Sequence, residues 1–549
     1  MQRINSYLLL GIFSLVLFLP GIVSLPVIDR DEAHFAQASR QMVQTGNYFQ
    51  IRFQDITRFQ KPPGINWLQA ASVRLFSDGD LSVIWPYRIP SLLGALFSVL
   101  LLFYFSRRFV SEQAALLAAA FLASSLLLVV EAHMAVTDAS LLSSVVLMQG
   151  ALWVIYHAGV EKKHPHWGWA LLFWVAMAYG LVLKGVTPLV GVLSVCTLCI
   201  IDRHRAWLRG LHIYRGLLLF VLLSLAWLLQ VDAAENSNYL LQMIKKDLLP
   251  KLQGGHESHG RPPFFHLLSL PITFWPVSMF LWQGVVYAYR ERHHHVVRYL
   301  LAWIVPIWIF FEIMPTKLPQ YVLPTFPAIA LVCALAIVDS VKKEKPNQWL
   351  RLLQVLWGVL SIGLALALSL LPYLLMNEVT LFSVMLFVVL TLMSIFTVYF
   401  ACKQDYVRTR VVVLWMALLA YPLIFGGLLP ELKPLWLSSK VAELVPKKDR
   451  SEQAPLLTMG YSEPSLVFSF DTKQVLYTNK GQAVSMMREN PGILLLLEYP
   501  AYSQMEHDVG CLDIIAHIKG FNYSAGRWVH LVLVKQQGRK TKENRCDTI

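Results

Sequence analysis

The chain has 549 residues, of which 56% are hydrophobic and 15% charged, a balance too apolar for a soluble globular domain and suited to a protein that sits in lipid. Its net charge of +13 does not point to a nucleic-acid partner. From residue 430 onward 15 basic residues are offset by 13 acidic ones, so the excess lies in the apolar portion, where Lys and Arg of cytoplasmic loops fix topology.

A run of about 18–20 apolar residues crosses a hydrocarbon core roughly 30 Å thick, and in lipid it must be helical because every backbone group needs an internal partner. Tyr7–Ile28 is the first such run. It follows a basic flank at Arg3 and is not followed by a small-x-small cleavage pattern, so it reads as a retained anchor helix. Further runs lie near 86–106, 113–130, 139–158, 167–183, 186–201, 214–232, 264–289, 299–314, 321–339, 350–372, 379–400 and 411–429, which makes thirteen. Alternate loops between them are basic, among them Arg107-Arg108, Lys162-Lys163, Arg290/Arg292 and Lys342-Lys343-Lys345. This asymmetry predicts a cytoplasmic N-terminus and an extracytoplasmic segment after about residue 430.

Two predicted outer loops are longer than connectors require. The first, 29–85, holds amphipathic stretches at Ala33–Val43 and Asn66–Phe76, read as interfacial helices. The second, 232–263, is Gly- and Pro-rich and contains His256, Glu257, His259 and Arg261. After 430 the pattern changes to short β-prone runs at Ser465–Phe470, Gln474–Tyr477, Ile493–Leu497 and Trp528–Val534, which predict a small α/β domain over 431–549. Residues 1–430 then form the membrane domain. The six cysteines show no metal spacing; Cys196 and Cys199 lie in an apolar helix, and Cys511 and Cys546 share the oxidising side, where pairing is open.

Charged residues at the membrane edge are costly and so attract functional readings. Asp29-Arg30-Asp31-Glu32-Ala33-His34 follows the first span, where a solvated helix stop is the plainer reading. Lys61 precedes a rigid Pro62-Pro63 turn. Asp138 opens a spanning helix, as an N-cap would, and Lys184 lies between two apolar runs, where snorkelling is the alternative. His256, Glu257 and His259 could hold a metal or belong to a flexible loop. Lys61, Lys184, Arg261 and Lys317 all fall at outer positions together with Asp31, Glu32 and Asp138. Cations suit a phosphate leaving group and a carboxylate suits an acceptor.

The order of these residues resembles a known family. Asp31-Glu32-x-x-Phe35-Ala36-x-x-x-Arg40-x-Met42 and Gln60-Lys61-Pro62-Pro63-x-x-x-Trp67-Leu68 are similar to the signature of the protein O-mannosyltransferase superfamily, nearest its bacterial lipid A 4-amino-4-deoxy-L-arabinose transferases. Ala135-Val136-x-Asp138, Lys184-Gly185, His256-x4-Arg261-Pro262 and Lys317-Leu318-Pro319-x-Tyr321 follow in the family's order, so the resemblance covers about residues 7–430. It implies a GT-C fold of about thirteen membrane helices with a small outer domain, located in a bacterial inner membrane with that domain in the periplasm. It implies inverting sugar transfer from an undecaprenyl-phosphate (polyprenyl-phosphate) donor to an outer acceptor such as lipid A or lipopolysaccharide. By position, Asp31 becomes the catalytic acid residue, and Lys61 and Arg261 become the phosphate clamp. Glu32, Asp138, Lys184, His256, Lys317 and Tyr321 become cavity residues.

Two positions depart from the pattern. His34 stands where the family often has an Arg, and a neutral His weakens a phosphate clamp. Gln60 stands where the arabinose transferases have a Glu that shares a metal with a His, so a zinc or magnesium site at His256 lacks its partner and no resident metal is expected. The rival readings are a protein O-glycosyltransferase of the same fold and, from another class, a lipid or solute transporter. The second would show inverted repeats and mid-membrane polar groups, which this sequence lacks.

Overall fold

The computed structural model describes residues 2–59, 61–202, 205–235, 239–245, 249, 261–339, 348–445, 454–490, 492–510 and 512–536. Gln60, His256, Glu257, His259, Cys511, Cys546 and the Lys342–Lys345 loop lie outside them.

Among the described residues, eight helices are long and apolar enough to cross a membrane, and two sharply bent helix pairs raise this to as many as ten. Three shorter apolar helices accompany them, Asn5–Phe18, Gly168–Leu183 and Thr187–Ile201. Each predicted apolar stretch overlaps one of these segments, but the first, expected over Tyr7–Ile28, is helical only to Phe18. The membrane part starts with α1 (Gln2–Phe18) and continues through α4 (Trp85–Ser106), α5 (Glu112–Ser124), α6 (Leu126–Ala132), α7 (Asp138–Val160), α8 (Gly168–Leu183), α9 (Thr187–Ile201) and α10 (Ile213–Glu235). Helices packed on all sides lie at the centre: the spans Asp138–Val160 and Pro319–Val338 are 89% buried, against 17% for Gln348–Met376. That outer helix turns Leu352, Val359 and Leu374 outward, as lipid-facing residues should. The central helices are the ones that carry Asp138 and Tyr321.

The segment 29–85 folds into α2 (Asp31–Thr45), a short hairpin of β1 (Arg52–Phe53) and β2 (Ile56–Thr57), and α3 (Gly64–Phe76). Helices are therefore present at both stretches where interfacial helices were expected. Gly46, in the left-handed conformation at φ 71°, ends α2, and Pro62-Pro63 leads into α3. The α2 helix is not the lipid-floating element its pattern suggested. Ala33, Ala36, Ala38 and Met42 are buried, and so are its polar residues Gln37, Ser39 and Arg40.

Those polar groups meet the C-terminal region. A five-stranded sheet ordered β4-β3-β5-β7-β6 is built from β3 (Leu456–Met459), β4 (Val475–Tyr477), β5 (Leu494–Glu498), β6 (Leu512–Asn522) and β7 (Arg527–Gln536). β3 runs parallel to β4 and β5, whereas β7 is antiparallel to both β5 and β6. The stretch Ser465–Phe470, expected as a strand, is instead a helix, Pro464–Phe470. Pro464 at its first turn presets a helical φ, and Leu466, Val467 and Phe470 pack into the sheet's core. This helix docks on α2: Arg40 donates to the Phe468 carbonyl at 2.8 Å and pairs with Asp471 at 3.4 Å. Gln37 bonds Thr472, and Gln54 donates to the carbonyls of Thr472 and Val475.

Candidate active site

Asp31 is the first residue of α2, and the chain enters it through a strained turn. Arg30 has φ 67° and ψ −96°, a conformation few non-glycine residues adopt. Three contacts hold that turn. The Asp29 amide donates to the Tyr523 hydroxyl at 2.7 Å, the Ser465 amide donates to Asp29 Oδ1 at 2.9 Å, and the Arg30 guanidinium donates to the Ser524 carbonyl at 2.8 Å. Burial, with Glu463 nearby, raises the Asp29 carboxyl from 3.8 to about 7.

Glu32 does not face a cavity. It is fully buried and doubly paired with Arg88 of α4, at 2.8 Å from Nε to Oε1 and 2.9 Å from Nη2 to Oε2. It also accepts from the amides of Ile28 and Ala135, both at 2.7 Å. Arg88 spends its remaining donors on the carbonyls of Ile22, Leu25 and Pro26. The pair ties the end of the first span, the start of α2, α4 and the segment after α6 into one joint.

His34 takes no clamp position either. Its Nδ1 lies 2.8 Å from the Arg30 carbonyl and its ring packs on Phe53 at 4.6 Å. Burial, reinforced by Arg58, lowers it from 6.5 to about 4, so the imidazole is neutral at pH 7.

Asp31, Lys61, Asp138, Lys184 and Tyr321 do converge, joined by Glu131, around a small cavity of about 40 Å³. Lys61 reaches it from the turn before α3, and Asp138 from the first turn of α7. Lys184 caps the C-terminus of α8 in extended conformation, which turns it inward between α8 and α9. Its ammonium contacts Asp138 Oδ1 at 2.6 Å and sits 5.1 Å from the Tyr321 ring centre. Snorkelling is thereby replaced by an inward ion pair. Lys317 is buried just outside this group, its ammonium donating to the carbonyls of Met314 at 2.7 Å and Arg261 at 3.3 Å. Arg261 is exposed and meets the Lys317 turn through its backbone, donating to the Pro315 carbonyl. His256 lies outside the described residues.

Sequence reasoning missed Arg88 and gave Glu131 no role. The signal was present in both cases, since a charged residue within an apolar span is the rule that singled out Lys184. Among the described residues no group of three His, Cys, Asp or Glu side chains is arranged to hold a metal, and the His256 cluster lies outside them.

A second cavity is lined from chain segments that flank those of the first. It is an open groove of about 700 Å³ between α3, α8 and α10, lined mostly by apolar and aromatic residues, among them Tyr48, Trp67, Val175, Tyr179, Leu223 and Trp227. Trp67 lies one turn beyond the Lys61 turn, and Val182, also in the groove, lies two residues before Lys184.

Helices, interfacial loop, charged cavity and outer sheet together define a polytopic membrane protein of the GT-C fold. The chain superposes on ArnT from Cupriavidus metallidurans in the apo state with a TM-score of 0.75 at 17% identity, covering 97% of this chain and 98% of that one. Against the same protein bound to undecaprenyl phosphate the TM-score is 0.76 at 16% identity, with the same coverage. Residues 60–229 match the family model described as dolichyl-phosphate-mannose-protein mannosyltransferase. The chain is also similar to the undecaprenyl phosphate-alpha-4-amino-4-deoxy-L-arabinose arabinosyl transferase 1 of Pseudomonas fluorescens, 28% identical over 60% of each chain. The corresponding transferase of Pseudomonas paraeruginosa is 27% identical over 63% of this chain and 61% of its own. The chain thus spans about three fifths of the length of these curated relatives.

Proposed function

We infer that this protein is a glycosyltransferase of the bacterial inner membrane that moves a sugar from undecaprenyl phosphate to an acceptor on the periplasmic face. The observation that carries this reading is the pairing of an apolar groove with a charged cavity. A groove lined mainly by apolar and aromatic side chains, Trp67 and Val182 among them, and a cavity holding carboxylates with Lys61 and Lys184 are built from neighbouring stretches of chain. A lipid-linked phosphosugar has that same division, an apolar tail and a charged head.

In the proposed reaction an acceptor oxygen attacks the anomeric carbon, the bond from that carbon to the phosphate oxygen breaks, and the phosphate leaves with the electron pair. Asp31 orients the acceptor and takes its proton where the attacking oxygen carries one. Lys61, with Arg261 and Lys317 at the edge of the site, stabilises the departing phosphate. Attack opposite the leaving group inverts the anomeric centre. The Lys184–Asp138 pair fixes the cavity wall. No step is routed through a metal.

Lipid A is the proposed acceptor, supported by the similarity to the arabinosyl transferases. A protein acceptor is the second reading, supported by the match of residues 60–229. Intact-mass analysis of lipid A from parent and deletion cells tests the choice. A sugar-sized mass lost on deletion supports lipid A. Unchanged lipid A, with a glycan lost from an envelope protein, supports the second.

A further inference from the structure

Two polar atoms on the wall of the charged cavity have no partner. Glu131, in the last turn of α6, is 5% exposed, and its Oε2 is buried without a hydrogen bond among the described residues. Thr137, just before α7, is 3% exposed, and its Oγ1 is likewise buried and unpartnered. Both side chains line the cavity that Asp31, Lys61, Lys184 and Tyr321 share.

Neighbours do not meet their needs. The Lys184 ammonium bonds Asp138 at 2.6 Å and attracts Glu131 without hydrogen-bonding its Oε2, and the Arg88 guanidinium is consumed by Glu32 and three carbonyls. The carboxyls of Asp31 and Asp138, the other acidic groups on this wall, offer Glu131 repulsion and no donor. Buried polar groups are almost always satisfied, so two orphans on one cavity wall call for a ligand that supplies what they lack. A carboxylate needs a donor, and a threonine hydroxyl can give one hydrogen bond and accept others. The requirement is therefore an N–H or O–H group next to an acceptor oxygen, which is the pattern of adjacent substituents on a sugar ring.

We propose that Glu131 and Thr137 form the sugar-reading wall of the site, Glu131 accepting from a ring hydroxyl or ammonium and Thr137 bonding the neighbouring ring oxygen. The inference rests on the glycosyltransferase reading and adds the residues that select the sugar. The break between α5 and α6, a bend of 61°, is what allows it. A straight helix would carry Glu131 along the bundle axis, whereas the bend sets the last turn of α6 against the start of α7.

The test uses the full-length purified protein and three undecaprenyl-phosphate donors of arabinose that differ at one carbon: amino, hydroxyl and deoxy. The parent should use the deoxy donor about 10–100-fold less well in kcat/KM than its better partner, the worth of one hydrogen bond to a charged group. Glu131→Gln should remove most of that discrimination, with the larger loss on the amino donor if the ring substituent is cationic and an even loss if it is a hydroxyl. Thr137→Val should lower kcat/KM for all three donors. Glu131 Oε2 and Thr137 Oγ1 make no hydrogen bond among the described residues, so both variants should melt close to the parental temperature. Parental discrimination in Glu131→Gln overturns the proposal while leaving the glycosyltransferase reading intact. So does a lower melting temperature with discrimination retained, which would make Glu131 structural. Absence of transfer by the parent from every donor overturns both.

Discussion

Replacing Arg88 with Met removes a guanidinium that is wholly buried and makes five hydrogen bonds, two to Glu32 and three to the carbonyls of Ile22, Leu25 and Pro26. Glu32 would keep only its two backbone donors, Ile28 and Ala135, around an uncompensated buried charge. Removing one partner of a buried ion pair costs about 3–5 kcal/mol, and the three stranded carbonyls place this case at the upper end. Intrinsic fluorescence of the 17 tryptophans can follow thermal unfolding in detergent, where a loss of this size should lower the midpoint by several degrees. Transfer should fall further than stability does. Asp31 precedes Glu32 directly, and a displacement of about 1 Å at a reacting group can cost roughly 100-fold in rate. Arg88→Lys should not rescue, because one ammonium cannot span two carboxylate oxygens and three carbonyls. Glu32→Gln combined with Arg88→Met should recover part of the loss, since the buried charge goes with its partner. Arg88→Met with parental midpoint and rate would refute the joint as the element that sets Asp31.

Asp31→Asn keeps volume and removes charge, so activity should fall by about 10²–10⁴-fold at an unchanged melting temperature; near-parental turnover would remove Asp31 from the reaction. Lys61→Ala and Arg261→Ala should each weaken use of the phosphate-linked donor, and parental donor kinetics in both would move the clamp elsewhere. Asp29, raised to about 7 in the folded protein, keeps a proton that the unfolded chain releases near 4. Stability should therefore decline as pH rises from about 4 to 7 and level off above, and Asp29→Asn should flatten that slope when melting is followed across pH. An Asn variant with the parental slope would assign it to another group. For topology, a periplasm-active reporter fused after Glu431 and a cytoplasm-active one placed between Asp339 and Gln348 should both work, and reversal of either would invert the arrangement.

The membrane helices were legible because a bilayer imposes a length and an apolar composition that few other structures share. The interfacial helices were legible by amphipathic period, but their environment was not. Gln37 and Arg40 are buried under a helix that lies some 430 residues further along the chain. Local pattern holds no record of such a partner. Ser465–Phe470 misled because Val and Phe favour strands locally, while Pro464 and the packing of Leu466 and Phe470 decided for helix. β6 was missed because His517, Lys519 and Gly520 interrupt its alternation, and its pairing with β7 supplies the order. Around the charged cavity, Asp31, Lys61, Asp138 and Lys184 were singled out by charge at the edge of apolar runs, and Tyr321 by the family resemblance alone. That rule cannot say which way a side chain turns, so Glu32 was assigned to the cavity and Glu131 was left without a role.

The docking of the Pro464–Phe470 helix on α2 has a consequence for synthesis of the protein. Arg40 and its acceptor Phe468 are 428 positions apart, so the segment that begins with Asp31 leaves the ribosome long before the surface that clamps it. At roughly 5–20 residues per second, the interval is about 20–90 s. Through that time α2 carries buried-type Gln37 and Arg40 without their final contacts, and the strained turn at Arg30 lacks its bonds to Ser465, Tyr523 and Ser524. The segment that carries Asp31 is thus finished last, by the chain's own C-terminal region, so a prematurely terminated chain would lack the contacts that hold Asp29, Arg30 and Arg40.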